Sequence, residues 1–345
     1  MSAVWGLDTG RVGEFMQVKA LGTALDLPFE HISLSPKNVL SSALPAAPPC
    51  LIISFGRAAP LALKLAAQFS TRPLLVHLGT IGHAPTKAFD LIITMPQDDY
   101  PIAENVYPLK LPLNGASLST SAKPQQAGRT CTTFIGGVSR YFQITPKSIE
   151  KCIEFSLTLA NANAEPLHVI TSPRTPVKAF ETLRQLQKTH NFSLSAFGQQ
   201  PFQNSLEAGS RFVITQDSAS LIADTYRTGK PVWVFPLPNK FDLSKCLQDT
   251  TDYCFGSQFR HWFVRQGWLG GGINFHRWHK QVSDEGYIHM ATDVSEHTLS
   301  WAPACPLPDT DLSQCRELIL HKLHHFPLPQ PKRAGFSGEI LEAVS

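Results

Sequence analysis

The chain has 345 residues, a formal net charge of +3 at pH 7 and 43% hydrophobic residues. These values suit two globular domains, each able to bury its own core. The charge is too small and too scattered to predict a nucleic-acid partner. No run approaches the ~20 apolar residues of a membrane-spanning helix, and the first residues lack the pattern of a signal peptide. We therefore expect a cytoplasmic protein, with peripheral contact to the inner membrane left open.

Short apolar runs alternate with helical stretches along the whole chain, which is typical of parallel sheets joined by crossover helices. In the first part, strands are predicted at residues 3–7, 29–34, 51–55, 74–78, 91–94 and 106–113. Residues 116–130 are mostly Ser, Thr, Lys, Pro, Gln and Gly, which is the composition of a linker. The first domain is therefore predicted to cover residues 1–115.

The pattern of strands and helices restarts after this linker. Strands are predicted at residues 131–135, 167–171, 193–197, 212–215 and 232–235, with helices at about 146–160 and 218–227. We assign residues 131–310 to a second domain, 311–326 to a helix that could pack back on the first domain, and 327–345 to a flexible tail. The expected fold class is α/β: two Rossmann-like parallel-sheet domains facing a cleft, as in the GT-B fold.

Ligands of open parallel sheets bind at the carboxyl ends of the strands, so the loops there are candidate sites. Gly136, Gly137 and Ser139 follow a predicted strand, and paired glycines let a backbone approach a phosphate closely. A plain turn is the alternative for this loop. Ser172 and Arg174 follow the next strand, where the planar guanidinium could clamp a phosphate or simply be solvated.

Another loop of this kind leads into a predicted helix. Asp217 and Ser218 stand at the helix start, with Ser220 in the first turn, and N–H groups at such a start favour an anion such as a diphosphate. Asp224, two turns in, could accept hydrogen bonds from ribose hydroxyls, as acidic residues do in dinucleotide folds. The alternative is that Asp217 and Ser218 only cap the helix and that Asp224 is solvated.

The first domain offers a candidate acceptor side. Gly10 and Gly13 belong to the loop between the first strand and its helix, and Glu14 stands at the helix start. A carboxylate there gains from the helix dipole and could act as a general base for an acceptor hydroxyl, or could only complement the dipole. Gly56 and Arg57 form a similar loop, where Arg57 could meet an acidic acceptor or a phosphate.

The segment 215–232 resembles the signature of the mitochondrial fission family named for elongated mitochondria. The matching residues are Thr215, Asp217, Ser218, Ser220, Thr228, Gly229, Lys230, Pro231 and Val232. Further matches are Ser54-Phe55-Gly56-Arg57, Phe89-Asp90-Leu91, Ile135-Gly136-Gly137 and Thr171-Ser172-Pro173-Arg174-Thr175-Pro176. The resemblance covers nearly the whole chain except residues 268–303, which look like an insertion.

Two shorter resemblances imply roles for acidic residues. The spacing from Asp224 to Gly229 is similar to a Glu-to-Gly spacing in GT-B enzymes such as the peptidoglycan N-acetylglucosaminyltransferase, in which the Glu holds ribose. Val12-Gly13-Glu14 resembles a loop of the Kdo transferases of lipopolysaccharide assembly, in which the Glu is the base. These resemblances imply a ribose contact for Asp224 and a catalytic role for Glu14.

Together these features predict an inverting, metal-independent GT-B glycosyltransferase that needs no cofactor. Its partners would be a nucleotide sugar, bound by the second domain, and a glycan or lipid acceptor of the cell envelope, bound by the first. Glu14 would be the base, and Arg174 or Lys240 would help to stabilise the departing diphosphate. The alternative is a non-catalytic binding or scaffold protein, because the plant member of the resembling family has an organelle-fission role.

Overall fold

The computed structural model describes residues 3–34, 44–45, 47–113, 129–199, 202–292, 299–300, 310–327 and 330–331. The chain divides into two compact units. The first comprises Met1–Gly115, Ser244–Phe275 and Asp309–Ser345, and the second comprises Ala116–Leu243 and His276–Pro308. The predicted linker at 116–130 and the predicted tail at 327–345 fall almost wholly outside the described residues.

The first unit contains a six-stranded parallel sheet. Its strands are β1 (Val4–Asp8), β2 (Phe29–Ser33), β3 (Leu51–Phe55), β5 (Leu74–Leu78), β6 (Leu91–Thr94) and β8 (Val106–Pro108). They lie in the order β2-β1-β3-β5-β6-β8, and every neighbouring pair is parallel. Outside this sheet, the short strand β4 (Phe69–Thr71) pairs antiparallel with β16 (Gln330–Pro331). The predicted strands are confirmed to within a residue or two, except that β8 is shorter than the stretch 106–113.

Helices cover both faces of this sheet. On one face, α1 (Val12–Thr23) and the C-terminal helix α10 (Asp311–His324) bury apolar side chains such as Leu21 and Ile319. On the other face, α2 (Ala59–Ala66) packs in a second core cluster that includes Trp5. The carboxylate of Asp311, at the start of α10, accepts hydrogen bonds from the backbone N–H groups of Lys110 at 2.7 Å and Leu111 at 3.2 Å. These bonds fix α10 against the first sheet.

The second unit repeats the architecture. Its parallel strands are β9 (Thr130–Ile135), β10 (Leu167–Thr171), β11 (Ser193–Ser195), β12 (Gly209–Thr215), β13 (Val232–Phe235) and β15 (His289–Met290). The order is β11-β10-β9-β12-β13-β15. Its helices are α3 (Pro146–Ala162), α4 (Val177–Thr189), α5 (Phe202–Ala208), α6 (Ala219–Tyr226) and α9 (Phe275–Asp284). The prediction of two Rossmann-like parallel-sheet domains is confirmed.

The start of α3 illustrates how local sequence sets an element. Thr145 caps the helix through a reciprocal pair of hydrogen bonds with Ser148, and Pro146 occupies the first turn, where no N–H is required. Inside the helix, Ile149 and Ile153 fall on one face and are buried. The sequence therefore determines both where α3 begins and which of its faces is buried.

The assignment of all residues from 131 to 310 to the second domain is wrong for one segment. Helices α7 (Leu243–Phe255) and α8 (Ser257–Gln266) and the short strand β14 (Gly272–Ile273) lie, from Ser244 onward, in the first unit. There β14 pairs antiparallel with β7 (Asp98–Asp99).

The stretch 268–303, which the sequence suggests is an insertion, is divided between the two units. It contributes β14 to the first unit and α9 and β15 to the second. Residues 293–298 and 301–303 lie outside the described part of the chain.

Candidate functional site

Each sheet has one point where the strand order reverses. It lies between β1 and β3 in the first sheet and between β9 and β12 in the second. In open α/β sheets this switch point opens a crevice at the carboxyl ends of the two flanking strands. Four of the loops singled out in the sequence follow β1, β3, β9 and β12, and hydrogen bonds connect them within each unit.

In the second unit, the glycine loop after β9 is bonded to the end of β12. The N–H of Gly136 donates to Thr215 Oγ1 at 2.7 Å, and the N–H of Gly137 donates to Asp217 Oδ2 at 2.9 Å. Thr215 Oγ1 in turn donates to Asp217 Oδ1 at 2.7 Å, and Val138 N donates to the carbonyl of Arg174 at 2.9 Å. The amides that the sequence suggested for a diphosphate are therefore already used inside the fold.

Glycine is required in this loop for reasons of space. A Cβ on Gly136 would overlap the Asp217 carboxylate, and a Cβ on Gly137 would overlap the backbone of Arg174. Thr175, which the sequence reading did not select, completes the network, because its hydroxyl donates to the carbonyl of Gly136 at 2.6 Å and accepts from Ser172 N at 2.8 Å. The loops after β9, β10 and β12 thus form one rigid platform.

Asp217 is the buried centre of this platform, with 6% of its surface exposed. Burial raises the pKa of its carboxyl group above the usual value, while the hydrogen bonds from Gly137 and Thr215 and the charge of Arg174 act in the opposite direction. The guanidinium of Arg174 itself is exposed. Asp217 therefore organises the loops, and Arg174 is the side chain there that an incoming anion could reach.

The start of α6 lies directly beyond Asp217. Ser218 occupies the N-cap position, is 5% exposed and makes no side-chain cap bond. The first helical hydrogen bond runs from Ile222 N to Ser218 O at 3.2 Å, so the N–H groups of residues 219–221 precede the helical ladder. Ser220 and Asp224 lie on this helix and are half-buried. The helix start thus offers backbone donors at the switch point.

The loop that follows β13 is bound to the same platform. Lys240 Nζ donates to the carbonyl of Ser139 at 2.7 Å, and Lys240 N donates to the carbonyl of Tyr141 at 2.8 Å. The Ser139 hydroxyl accepts from the N–H groups of Tyr141 at 3.0 Å and Phe142 at 3.1 Å. Ser139 and Lys240 therefore stabilise the loop after β9. The ammonium group of Lys240 is half-buried and lies next to this loop.

In the first unit, Glu14 is part of a polar cluster. Its carboxylate is 20% exposed, forms an ion pair with Arg11 at 2.8 Å and accepts from Thr9 Oγ1 at 3.1 Å. Arg57 crosses the switch point and donates to the carbonyl of Thr9 at 3.2 Å. Gly10 and Gly56 have positive φ angles of 78° and 51°, which favour glycine, whereas Gly13 lies within the first turn of α1.

An Asp–His pair beside this cluster was not selected from the sequence. His31 Nε2 lies 2.9 Å from Asp8 Oδ2, and its ring stacks on Phe15 with 4.2 Å between ring centroids. Asp8 ends β1, and residues His31 and Ser33 share a face of the neighbouring strand β2. The signal was weak because the two residues are 23 positions apart and Phe-Glu-His-Ile-Ser reads as an ordinary edge strand.

Neither a membrane-spanning helix nor a metal cluster is found in the described part of the chain. None of the helices there is both long and apolar enough to cross a bilayer. Across the same residues, no group of three His, Cys, Asp or Glu side chains is placed to hold a metal ion.

Two doubly wound parallel sheets with polar loops at their switch points define a GT-B glycosyltransferase-like fold. Two solved structures are similar over nearly the whole chain. One is described as a co-structure of MnaA from S. aureus with UDP, with a TM-score of 0.50, 12% identity, and coverage of 97% of this chain and 100% of that one. The other is a putative UDP-N-acetylglucosamine 2-epimerase from Listeria monocytogenes, with a TM-score of 0.52, 11% identity, and coverage of 96% and 99%. At these identities the likeness concerns the fold alone.

The family is decided by sequence. Residues 12–249 match the model of the family described as mitochondrial fission ELM1, and the chain belongs to that family. This match confirms the family resemblance that was inferred from the motifs at 54–57, 135–137, 171–176 and 215–232. No curated protein matches the chain in sequence.

Proposed function

We propose that this protein is an inverting, metal-independent GT-B glycosyltransferase that binds a nucleotide-activated sugar at the carboxyl edge of its second sheet. The observation that carries the proposal is the rigid platform of three loops at the switch point, placed at the start of α6. Such a start offers aligned N–H donors and the positive end of a helix dipole, which suits a diphosphate.

The geometry changes which groups would hold the diphosphate. Gly136 and Gly137 support the platform, because their amides are bonded to Thr215 and Asp217. The amides at residues 219–221, the hydroxyls of Ser218 and Ser220, and the cations Arg174 and Lys240 would bind the anion. Asp224, on the same helix, would accept hydrogen bonds from the ribose.

Glu14 is the proposed base on the acceptor side. It would take the proton of a glycan or lipid hydroxyl, whose oxygen would bond to the anomeric carbon of the sugar as the bond to the diphosphate breaks. The Asp8–His31 pair is a second candidate for this proton transfer, since a carboxylate orients and supports an imidazole base.

A non-catalytic scaffold with the same fold is the second candidate function. The observation that favours it is the internal use of the Gly136 and Gly137 amides, since a protein that no longer binds a nucleotide could retain such a platform for rigidity alone. The two functions differ in whether nucleotides bind at α6.

Thermal denaturation in the presence of nucleotides tests the proposal. UDP and UDP-N-acetylglucosamine are the first ligands to use, because the two similar structures are named for them. At a concentration of about 100 Kd, binding stabilises the folded state by about 2.7 kcal/mol, so the melting temperature should rise by several degrees. Asp224→Ala should abolish the rise, whereas Asp284→Ala, an exposed carboxylate on α9, should leave it intact.

The same preparation separates binding from catalysis. Glu14→Gln should still show the nucleotide shift but should lose sugar transfer, and retained transfer would move the role of base to His31. If none of the common nucleotides raises the melting temperature, the scaffold function is favoured. Conversion of UDP-N-acetylglucosamine into its C2 epimer would instead identify an epimerase.

A further inference from the structure

Five aromatic side chains in mutual contact lie at the end of α7, on α8 and just after α8. We call this set the aromatic surface: Phe255, Phe259, Trp262, Phe263 and Trp268. Their ring centroids are 4.9–5.6 Å apart from one to the next. Phe255 is 67% exposed, Trp268 63%, Trp262 48% and Phe259 47%. Exposed apolar patches of this kind on soluble proteins mark interaction sites.

The aromatic surface is held rigidly by the first unit. On the opposite face of α8, Arg260 and Val264 are buried, with 4% and 1% exposure. The helix ends at Gly267, whose φ of +76° allows Trp268 N to donate to the carbonyl of Phe263 at 3.0 Å. A Cβ on Gly267 would overlap the backbone of residues 83–85, so this turn is pressed against the rest of the unit. The exposed rings are therefore held in a fixed position, because the helix that carries them packs against the rest of the unit.

The segment that carries the aromatic surface contains cations and no acidic residue. From Tyr253 to Phe275 the sequence contains no Asp or Glu. The adjacent carboxylates Asp99 and Asp252 are both bonded to Arg260. Two exposed cations lie on or against α8: Arg265 near its end, and Lys87 on the 3-10 turn Thr86–Ala88, which packs against α8. Two exposed carboxylates lie farther along the neighbouring segments: Asp249, six residues before Phe255 on α7, and Glu104, after β7.

We propose that the aromatic surface docks this protein onto a bilayer that carries anionic headgroups. Tryptophan rings favour the boundary between headgroups and acyl chains, and a helix with aromatic residues on one face and cations at its rim lies in that boundary. Arg265 and Lys87 complement anionic lipid. A two-fold contact with a second copy would instead bring the same cations together, which favours lipid as the occupant.

Vesicle binding of the full chain tests this proposal. The protein is expected to co-sediment with vesicles containing about one third phosphatidylglycerol and to bind much less to pure phosphatidylcholine. Among the described tryptophans, Trp5, Trp233 and Trp278 are fully buried, so a blue shift of emission and quenching by brominated lipid that disappear when Trp262 and Trp268 are replaced would report on these two residues. The double variant Trp262→Ser, Trp268→Ser should weaken binding about tenfold or more.

A matched control is available in the second unit. Phe197 is 60% exposed, and Phe197→Ser should bind vesicles as the unaltered protein does. Arg265→Glu combined with Lys87→Glu should remove the preference for anionic vesicles while leaving the melting temperature close to that of the parent. The proposal is overturned if the tryptophan variant binds as tightly as Phe197→Ser, if the full chain binds no vesicle, or if the tryptophan variant instead abolishes a dimer.

Discussion

Asp217 organises the loops of the candidate site through hydrogen bonds and by the space that it fills. Its carboxylate accepts hydrogen bonds from Gly137 N and Thr215 Oγ1. It also fills the volume that a side chain at position 136 would need. In the sequence, the Gly-Gly pair suggested that a phosphate approaches the backbone closely. In the structure, the Asp217 carboxylate makes this close approach, which accounts for the glycine at position 136.

Replacing Gly136 tests this explanation. Gly136→Ala forces a methyl group into the buried Asp217 carboxylate and should lower the free energy of unfolding by about 1–3 kcal/mol. Gly13→Ala is the control, since no atom lies within 4 Å of the position that its Cβ would take. Gly13 also stands inside α1, where alanine is favoured by up to about 1 kcal/mol. Urea denaturation measures both, and equal stabilities of the two variants would contradict the packing argument.

At the scale of elements, one arginine holds α8 to the first unit. Arg260 is bonded to Asp99 and, through Nε at 2.9 Å, to Asp252. Gln248 on α7 also donates to Asp99, at 3.2 Å. Because Asp99 is only 6% exposed, its charge depends on these partners. The polar cluster thus connects α7 and α8 to β7 within the first unit.

Arg260→Met should release this segment. Removing the cation breaks the buried ion pair with Asp99, a loss of about 3–5 kcal/mol for a broken buried pair. Hydrogen exchange should become faster throughout α7 and α8. Arg265→Met on the same helix is the control, because Arg265 is exposed and bonds only the Ile102 carbonyl among the contacts described. Unchanged exchange in the Arg260 variant would show that apolar packing alone holds α8.

At the scale of the whole molecule, each unit encloses a neutral histidine. Burial lowers the pKa of His77 to about 4 in the first unit. It lowers the pKa of His279 to about 3 in the second, where the neighbouring His276 adds to the effect. His77 accepts from Ser54 Oγ at 2.8 Å and donates to the Thr80 carbonyl at 3.2 Å, so its role is structural. Both units therefore depend on pH in the same direction.

The sign of this dependence follows from the lowered pKa values. Each folded pKa lies below the unfolded value of 6.5, so the contribution to stability is complete above pH 6.5 and is lost as the pH falls toward 4. Between pH 7 and pH 5 each histidine should lower the free energy of unfolding by about 2 kcal/mol. His77→Asn with His279→Asn should flatten the difference in melting temperature between pH 7 and pH 5, and the exposed His83→Asn should not. An equally steep loss in the double variant would contradict the assignment.

The sequence by itself determined the local elements and the class of fold. The apolar runs that became β3, β5, β6, β10 and β13 were identified at their observed bounds, because a fully buried parallel strand is a short continuous apolar run. The alternation of such runs with helices implied two doubly wound sheets. The motif at 215–232 implied the family, which the match over residues 12–249 establishes.

Only the tertiary structure decided which groups meet. Gly137 and Asp217 are bonded across 80 positions, and Arg260 and Asp99 across 161. The tertiary structure also assigned residues 244–275 to the first unit and revealed the contact between His31 and Asp8. Periodicity reports which face of an element is buried, but it carries no information about the partner, because the partner depends on how distant strands are ordered in the sheet. The sequence therefore placed Gly136 and Gly137 after a strand, while the switch point beside them and the hydrogen-bond acceptors of their amides could be known only from the fold.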